Sequence, residues 1–360
     1  MIRRFGTIIL LAAIAFVTSS CHKGFCPDLS DKLLIEFAPG AENATTKAAS
    51  APDAGFDFGV WGIARYKTSN VPDYLLWDAT SMTEVKQVQA GNSLSYSYIP
   101  VTDAFWFRDY TYDFIAVAPW AAADGLTVTS GESSGSDILT FDFDLAEKYS
   151  PTQPTDPDAA PVAPDYDFDL MAAVGHSFVE TTATHPTQDL TFWHLLSKIQ
   201  VKVGFGNDLS GKKIDGKVTK IRLGKVQTKA EYTVSASSPN QLSIDFKPYS
   251  EPEVSIEYQV PENMQAPDPN RPNWVLHIIP QVVKNMELYL DFAINEGTTQ
   301  EPDWVEYKNL WINLDLPANQ VAYGRNEQYN WNITIGTKAA ITFSVDVTDW
   351  TEAEEFEIPM

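Results

Sequence analysis

Few residues of this chain combine type and spacing in a way that could carry chemistry, and the clearest is Cys21. It follows Thr18-Ser19-Ser20 directly, behind the apolar run Ile8 to Val17 and the basic pair Arg3 and Arg4. A basic start, an apolar stretch of about ten residues and a small-residue boundary describe a secretory signal, too short for a stable membrane span. A cysteine at that boundary makes it a lipoprotein-type signal over residues 1–20. Cys21 then becomes the first residue of the mature chain and carries the acyl chains, with residues 21–32 as a tether. An ordinary secretory signal with an incidental cysteine is the alternative. Under either, the protein is exported.

Elsewhere the chemistry thins out. The histidines are His22, His176, His185, His194 and His277. None forms an HExxH pair and none adjoins a nucleophile motif. His194 and His277 lie in apolar strand-like runs, where packed or hydrogen-bonded histidines are the rule. No GxSxG elbow, P-loop or dinucleotide glycine fingerprint occurs. Asp165, Asp167 and Asp169 alternate and would bring three carboxylates to one side of an extended segment, a calcium-like donor set. An EF-hand-type loop needs a glycine and a glutamate where Leu170 and His176 stand, so a solvated acidic edge is the plainer reading. A glycosidase needs two carboxylates across a cleft, and no pair among forty-eight acidic residues stands out. Ten tryptophans could stack on sugars, but Trp193, Trp331 and Trp350 interrupt or end apolar strands and look like packing residues. No catalytic residue, metal ligand or cofactor is expected.

Composition narrows the partners. Forty-eight acidic against twenty-five basic residues give a formal charge of −23. Such a surface repels nucleic acid and anionic lipid head groups, so membrane contact is expected only through the lipid anchor. The two cysteines, Cys21 and Cys26, both sit at the extreme N-terminus. The body of this exported chain is therefore held by its apolar core rather than by disulfides.

The elements that must position these residues are strands. Period-two alternation marks Leu33-Ile35-Phe37, Leu94-Tyr96-Tyr98, Leu139 to Leu145, Ile199 to Phe205, Leu242-Ile244-Phe246 and Ile256-Tyr258-Val260. It marks Met286 to Ile294, Leu310 to Leu316, Tyr329 to Ile335 and Ile341 to Val347 as well. Turn residues such as Ser237-Ser238-Pro239-Asn240 separate many of these runs. Residues 40–55 are small and polar and read as an exposed loop. Residues 148–167 hold five prolines, Pro151, Pro154, Pro157, Pro161 and Pro164, which exclude a sheet interior. No repeat of 20 to 50 residues is visible. The pattern implies an all-β chain of antiparallel sandwiches, with room for two domains after the signal.

Several segments now resemble the fimbrillin family, the lipoprotein-derived subunits of type V fimbriae. Phe168 to Ala173 resembles the family's DLM-A strand end. Leu190 to Ile199 (LTFWHLLSKI) resembles its F-x-H-x-L-S-K-I strand. Ile278 to Gln281 resembles the PQ strand end, Gly324 to Ile335 the G-x-x-Y strand, and Ile341 to Trp350 the terminal strand closing on V-x-x-W. The resemblance implies two tandem transthyretin-like β-sandwich domains, expected here over residues 33–184 and 185–360.

The resemblance also implies an assembly mechanism. The first strand, carrying Leu33, Ile35 and Phe37, fills a groove in the precursor. A trypsin-like protease cuts the following loop, where Lys47 is the only basic residue between Lys32 and Arg65. A strand from another subunit then takes the vacant place, a form of strand addition. Such a head-to-tail contact does not close and propagates as a filament. The candidate donor is the C-terminal region, with Ile341, Phe343, Val345 and Val347 or, beyond Trp350, Phe356 and Ile358. The implied setting is an outer-membrane lipoprotein precursor at the cell surface or in a fimbrium. Its implied partners are other fimbrial subunits, the maturation protease and an adhesion receptor on a host or bacterial surface. A surface glycan-binding lipoprotein is the competing reading, and it requires an exposed row of aromatic side chains.

Overall fold

A chain with so many period-two runs must bury one face of each strand, and the computed structural model shows how. It describes residues 33–41, 57–67, 73–77, 80–89, 96–131, 136–149, 168–179, 187–238, 241–248, 253–268, 271–282, 286–312, 314, 323–336 and 341–349. Cys21, Lys47, Asp165, Asp167, Phe356 and Ile358 lie outside the described residues. No described helix is long and apolar enough to cross a membrane.

The N-terminal half contributes β1 (Leu33–Leu34), β2 (Phe37–Ala41), β3 (Phe58–Tyr66), β4 (Tyr74–Leu75), β5 (Thr83–Gln89), β6 (Tyr96–Pro100), β7 (Phe105–Trp106) and β8 (Tyr110–Ala118). After the single helical turn α1 (Trp120–Ala123) come β9 (Val128–Thr129), β10 (Ile138–Asp144), a second turn α2 (Ala146–Tyr149), β11 (Met171–Val179) and β12 (Gln188–His194). Then follow β13 (Ser197–Phe205), β14 (Gly216–Gln227), β15 (Lys229–Ser238), β16 (Gln241–Pro248), β17 (Glu253–Gln259), β18 (Trp274–Ile278), β19 (Glu287–Asn295), β20 (Trp304–Ile312), β21 (Glu327–Ile335) and β22 (Ile341–Asp349).

The largest sheet runs β4-β3-β5-β6-β2-β12-β11-β8, and β3 also pairs with β8. That last pairing closes seven strands into a ring, with β4 as a short spur on β3. Inside the ring lie Phe37, Phe58, Tyr112, Phe114, Ala116, Ala173, Leu190 and Phe192, all buried. The opposite faces of β3, β8 and β11 present Trp61, Ile63, Ile115, Val117 and Val174 to the larger core. These strands are buried on both sides, so their sequences read as near-continuous apolar runs without alternation.

A second sheet, β16-β15-β10-β9, covers that outer face. Leu139, Phe141 and Phe143 of β10 and Tyr232 and Val234 of β15 share one core with Ile115 and Val117. The sheets β18-β13-β21-β22 and β17-β14-β19-β20 pack face to face beyond it. Phe205 meets Phe292 edge-on at 6.0 Å, and Tyr258 stacks on Trp274 at 5.3 Å across their core. Ile199, Val201, Val203, Leu288, Leu290 and Phe292 are buried there. The all-β expectation holds.

The structure departs from the sequence reading in three places. Two pairings are parallel, β2 with β12 and β13 with β21; each joins strands far apart in the chain, which hairpin-based reading does not reach. Gly40 and Ala41 belong to β2 rather than to a loop. The run Leu310 to Leu316 ends as a strand at Ile312. Strands far apart in the chain also pair across the sheets: β12 with β2 and β11, and β15 with β10.

Candidate functional site: the seat of the first strand

The chain's first segment does not run as one strand. Leu33 and Leu34 pair with Trp106 and Phe105 at the rim, the backbone breaks at Ile35 and Glu36, and β2 then enters the ring. Leu33 is consequently 41% exposed, whereas Ile35 and Phe37 are 0% and 2% exposed. The expectation that all three side chains fill one groove is corrected to two, because the kink leaves Leu33 on the rim. Phe37 stands edge-on to Phe58 at 6.0 Å and to Phe114 at 5.4 Å. The Ile35 amide donates to Ala104 O at 2.9 Å, and Gln188 N–H donates to Glu36 O at 2.8 Å.

β2 lies between β12 and β6. Five residue pairs, Phe37↔Gln188 through Ala41↔Phe192, join it to β12, while a single pair, Phe37↔Tyr98, joins it to β6. Among the described residues no pairing links β6 to β12 directly. Taking β2 away would therefore open the ring along its length and expose two strand edges with an apolar slot between them.

The candidate donor residues of β22 are in place at the far end of the molecule. β22 forms the edge of its sheet and pairs with β21 from Ile335↔Ile341 to Glu327↔Asp349. Ile341, Phe343, Val345 and Val347 are half-buried and alternate with exposed residues. Phe343 meets Trp331 edge-on at 5.8 Å. This strand completes the sheet within its own chain.

His194 and His277 meet the segments around Phe168, Leu195 and Gly324 elsewhere, at the joint where β12 hands over to β13. His194 Nδ1 lies 2.7 Å from Asp169 Oδ2, and His277 Nδ1 lies 3.0 Å from Phe168 O. Asp169 thus faces a histidine, not an acidic edge. Burial opposes its charge, but His194, His277 and Lys198 hold its carboxyl below the usual range. Burial pushes the His277 imidazole down to about 4, against the pull of Asp169. Leu195 and Leu196 are fully buried at the turn. Leu195 N–H donates to Leu170 O at 2.8 Å, Asn326 N–H to Leu196 O at 3.1 Å, and Ser197 Oγ to Gly324 O at 2.6 Å. Gly324 N–H donates to Tyr329 OH at 2.8 Å.

Gln281 braces the same joint where β14 becomes β15. Its Oε1 accepts from Gln227 N–H at 2.9 Å, and its Nε2 donates to Gln227 O at 3.0 Å and Ile279 O at 2.9 Å. The hydrogen-bonded partners of these segments fix two chain crossings between sheets, β12 to β13 and β14 to β15. Their arrangement is structural.

Sequence reasoning missed two features. Arg65, 7% exposed, holds Asp137 (Nη2 to Oδ1, 2.7 Å) and Asp113, with Asp73 at 3.3 Å from Nε. His176 Nδ1 reaches Asp113 Oδ1 at 2.7 Å. Burial raises the Asp137 pKa although Arg65 pulls it down. The pairing of β3, β8 and β11 brings Arg65, Asp113 and His176 together, and the packing of the β10 sheet on them adds Asp137. The second feature is the exposure of Trp304 and Trp311 on β20. Among the described residues no group of three or more potential metal ligands occurs.

An all-β fold whose ring is closed by its own first strand defines the class of molecule. The sequence matches the fimbrillin-like family over residues 45–350, and the chain belongs to that family. A fimbrial protein from Bacteroides vulgatus shares the fold at 17% identity, with a TM-score of 0.52 over 88% of this chain and 99% of that one. A fimbrial assembly protein from Parabacteroides distasonis is 13% identical, covering 89% and 100% with a TM-score of 0.36. A fimbrilin from Porphyromonas gingivalis is 9% identical, covering 89% and 98% with a TM-score of 0.36. No curated protein matches the chain.

Proposed function

We propose that this protein is a structural or accessory subunit of a surface fimbrium, assembled by protease-triggered strand exchange and used for adhesion. The observation that carries the reading is the position of β2, the one strand bridging β6 and β12. Lys47 falls between the end of β2 at Ala41 and the start of β3 at Phe58. A cut there would sever β2 from the rest of the ring without breaking any other described strand. Ile35 and Phe37 then leave a slot whose refilling is worth about 3–6 kcal/mol before ordering costs. Main-chain hydrogen bonds to β12 would favour any extended segment of matching alternation. While β2 remains covalently attached, its high effective concentration keeps competitors out. The incoming segment is the C-terminal region of a second subunit. Because β22 is fully paired in its own sheet, the residues after it, with Phe356 and Ile358, are the better donor.

In this reading Cys21 carries the lipid that holds the precursor at the outer membrane, and the chain performs no catalysis. Its two domains are taken as residues 33–184 and 185–360, joined in part through the pairing of β10 with β15. Exposing purified protein to a trypsin-like protease, with electron microscopy of the product, tests the proposal. Wild type should be cut after Lys47 and form filaments, and Lys47→Ala should do neither. Filaments from Lys47→Ala as abundant as those of wild type would overturn it.

A further inference from the structure

The outer face of the β17-β14-β19-β20 sheet carries a second feature that the assembly reading leaves unused. Trp304 and Trp311 are seven residues apart on β20, an odd spacing that places side chains on opposite faces of a regular strand. The register shows why they share one face here. Leu290 pairs with Leu310, but Phe292 pairs with Tyr307, so β20 carries one extra residue at Lys308–Asn309. Asn309 takes up the bulge with φ 53°, and its N–H donates to Asp291 Oδ1 at 2.6 Å. Tyr307 turns inward to stack on Phe292, while Trp311, opposite Tyr289, and Trp304, opposite Asn295, both turn outward. Bulges that re-aim side chains in this way are functional devices more often than defects.

Trp311 is 57% exposed and Trp304 37%. Tyr289 to Asn295 spans six residues, so the two indoles stand about 20 Å apart along the sheet. Between them Arg222 lies over the Tyr289 ring at 3.9 Å, and Lys217 lies over the Trp304 ring at 4.5 Å. The other cations of this face are engaged by carboxylates: Lys220 with Glu257, Lys225 with Glu287 and Lys308 with Glu306, each at 2.8 Å. Each cation named here is already held by a ring or a carboxylate. On a molecule of charge −23, the face is thus a strip of interleaved cations and carboxylates with exposed indoles at its ends.

We infer that this strip binds an extended, neutral oligosaccharide. An exposed indole presents a flat, electron-rich face that suits the C–H face of a pyranose ring, as it suits other positively polarised partners. The interleaved carboxylates, ammonium groups and amides supply acceptors and donors for hydroxyls. An anionic ligand would meet no uncommitted cation among the named residues and a strongly negative molecule around it. The inference names the ligand class of an adhesive subunit, but it does not depend on strand exchange, which involves β2 and the residues after β22 rather than β20.

The test uses the uncut, monomeric protein with cellohexaose, mannohexaose, N-acetylchitohexaose and an anionic heparin hexasaccharide, read by calorimetry and tryptophan fluorescence. At least one neutral hexasaccharide should bind and shift the fluorescence. Trp311→Ala should weaken that binding at least tenfold, with Trp311→Phe between the two. Trp304→Ala should weaken hexasaccharide binding more than trisaccharide binding, because a trisaccharide does not reach both indoles. Circular dichroism of the variants should match wild type, since both side chains are on the surface. Absence of binding by every neutral probe, equal binding by Trp311→Ala, or preference for the heparin probe would overturn the inference. So would a wild-type dimer that Trp311→Ala dissolves, which would make the strip a contact between copies. Each of these results leaves the Lys47 experiment untouched.

Discussion

Replacing Phe37 with alanine separates the seat of the first strand from its rim. Phe37 is 2% exposed and touches Phe58 and Phe114 edge-on inside the ring. Removing a buried phenylalanine costs about 3–5 kcal/mol, the upper end applying where the cavity cannot collapse. Leu33, at 41% exposure, sits beside Trp106 on the rim. Full burial of a leucine is worth about 1.5–3 kcal/mol, so truncating this half-exposed one should cost about 1 kcal/mol. Equilibrium unfolding in urea of uncut protein, with Cys21→Ser to prevent acylation, reads both numbers from the midpoints. The same contrast should appear after cleavage at Lys47. Since about 1.4 kcal/mol is a factor of ten, the severed segment of Phe37→Ala should be held about a hundredfold to a few thousandfold less tightly than that of wild type. Equal destabilisation by Leu33→Ala and Phe37→Ala would refute the reasoning, because it would mean that Leu33 shares the slot.

Three further outcomes follow from the buried polar groups. Arg65→Ala should destabilise the chain by about 3–5 kcal/mol, since Asp113 and Asp137 would stay buried without their counter-ion; thermal melting against Arg65→Lys measures it. Gln281→Ala should cost about 1–3 kcal/mol by stripping the partners of the Gln227 amide and carbonyl, again read by urea unfolding. The His277 imidazole, held at about 4 by burial, with Asp169 favouring its charge and Lys198 and His194 opposing it, makes stability fall with acid. The unfolded histidine takes a proton near pH 6.5 and the folded one does not, so the loss begins there and is complete near pH 4. It amounts to about 3 kcal/mol. His277→Gln should flatten that slope, as a pH series of unfolding midpoints would show.

The strands with one wet face were legible in the sequence, and those buried on both faces were not. Leu288-Leu290-Phe292 alternates because Tyr289 and Asp291 face outward. Phe58 to Ala64 and Phe114 to Ala118 carry no alternation, because the ring interior takes one face and the larger core the other. Ring closure through the parallel β2–β12 pairing depends on residues some 150 positions apart, which local periodicity cannot report. The same holds for the site. Ile35 and Phe37 were readable as apolar strand residues, but the break that leaves Leu33 outside is a backbone event set by the β7 contact. Trp304 and Trp311 look like residues of opposite faces until the bulge at Asn309 is seen. The Asp169–His194 and His277–Phe168 contacts join segments that resemble the family individually, yet their meeting at one joint is a property of the fold.

The central claim is that β2 must leave its seat before subunits can join, and a reversible staple tests it directly. Ala38 and Asp189 are partners across the β2–β12 pairing and both are exposed. Adjacent strands stand about 4.8 Å apart, within the range a disulfide spans. The protein's own cysteines, Cys21 and Cys26, lie outside the ring sequence and would be replaced by serine. The measurement is filament formation, by light scattering and electron microscopy, of the Ala38→Cys, Asp189→Cys protein after cleavage at Lys47. Strand exchange at this seat gives monomers while the disulfide is intact and filaments once it is reduced. Filaments forming equally well from the oxidised, cleaved protein would contradict it, because the slot would never have been vacated.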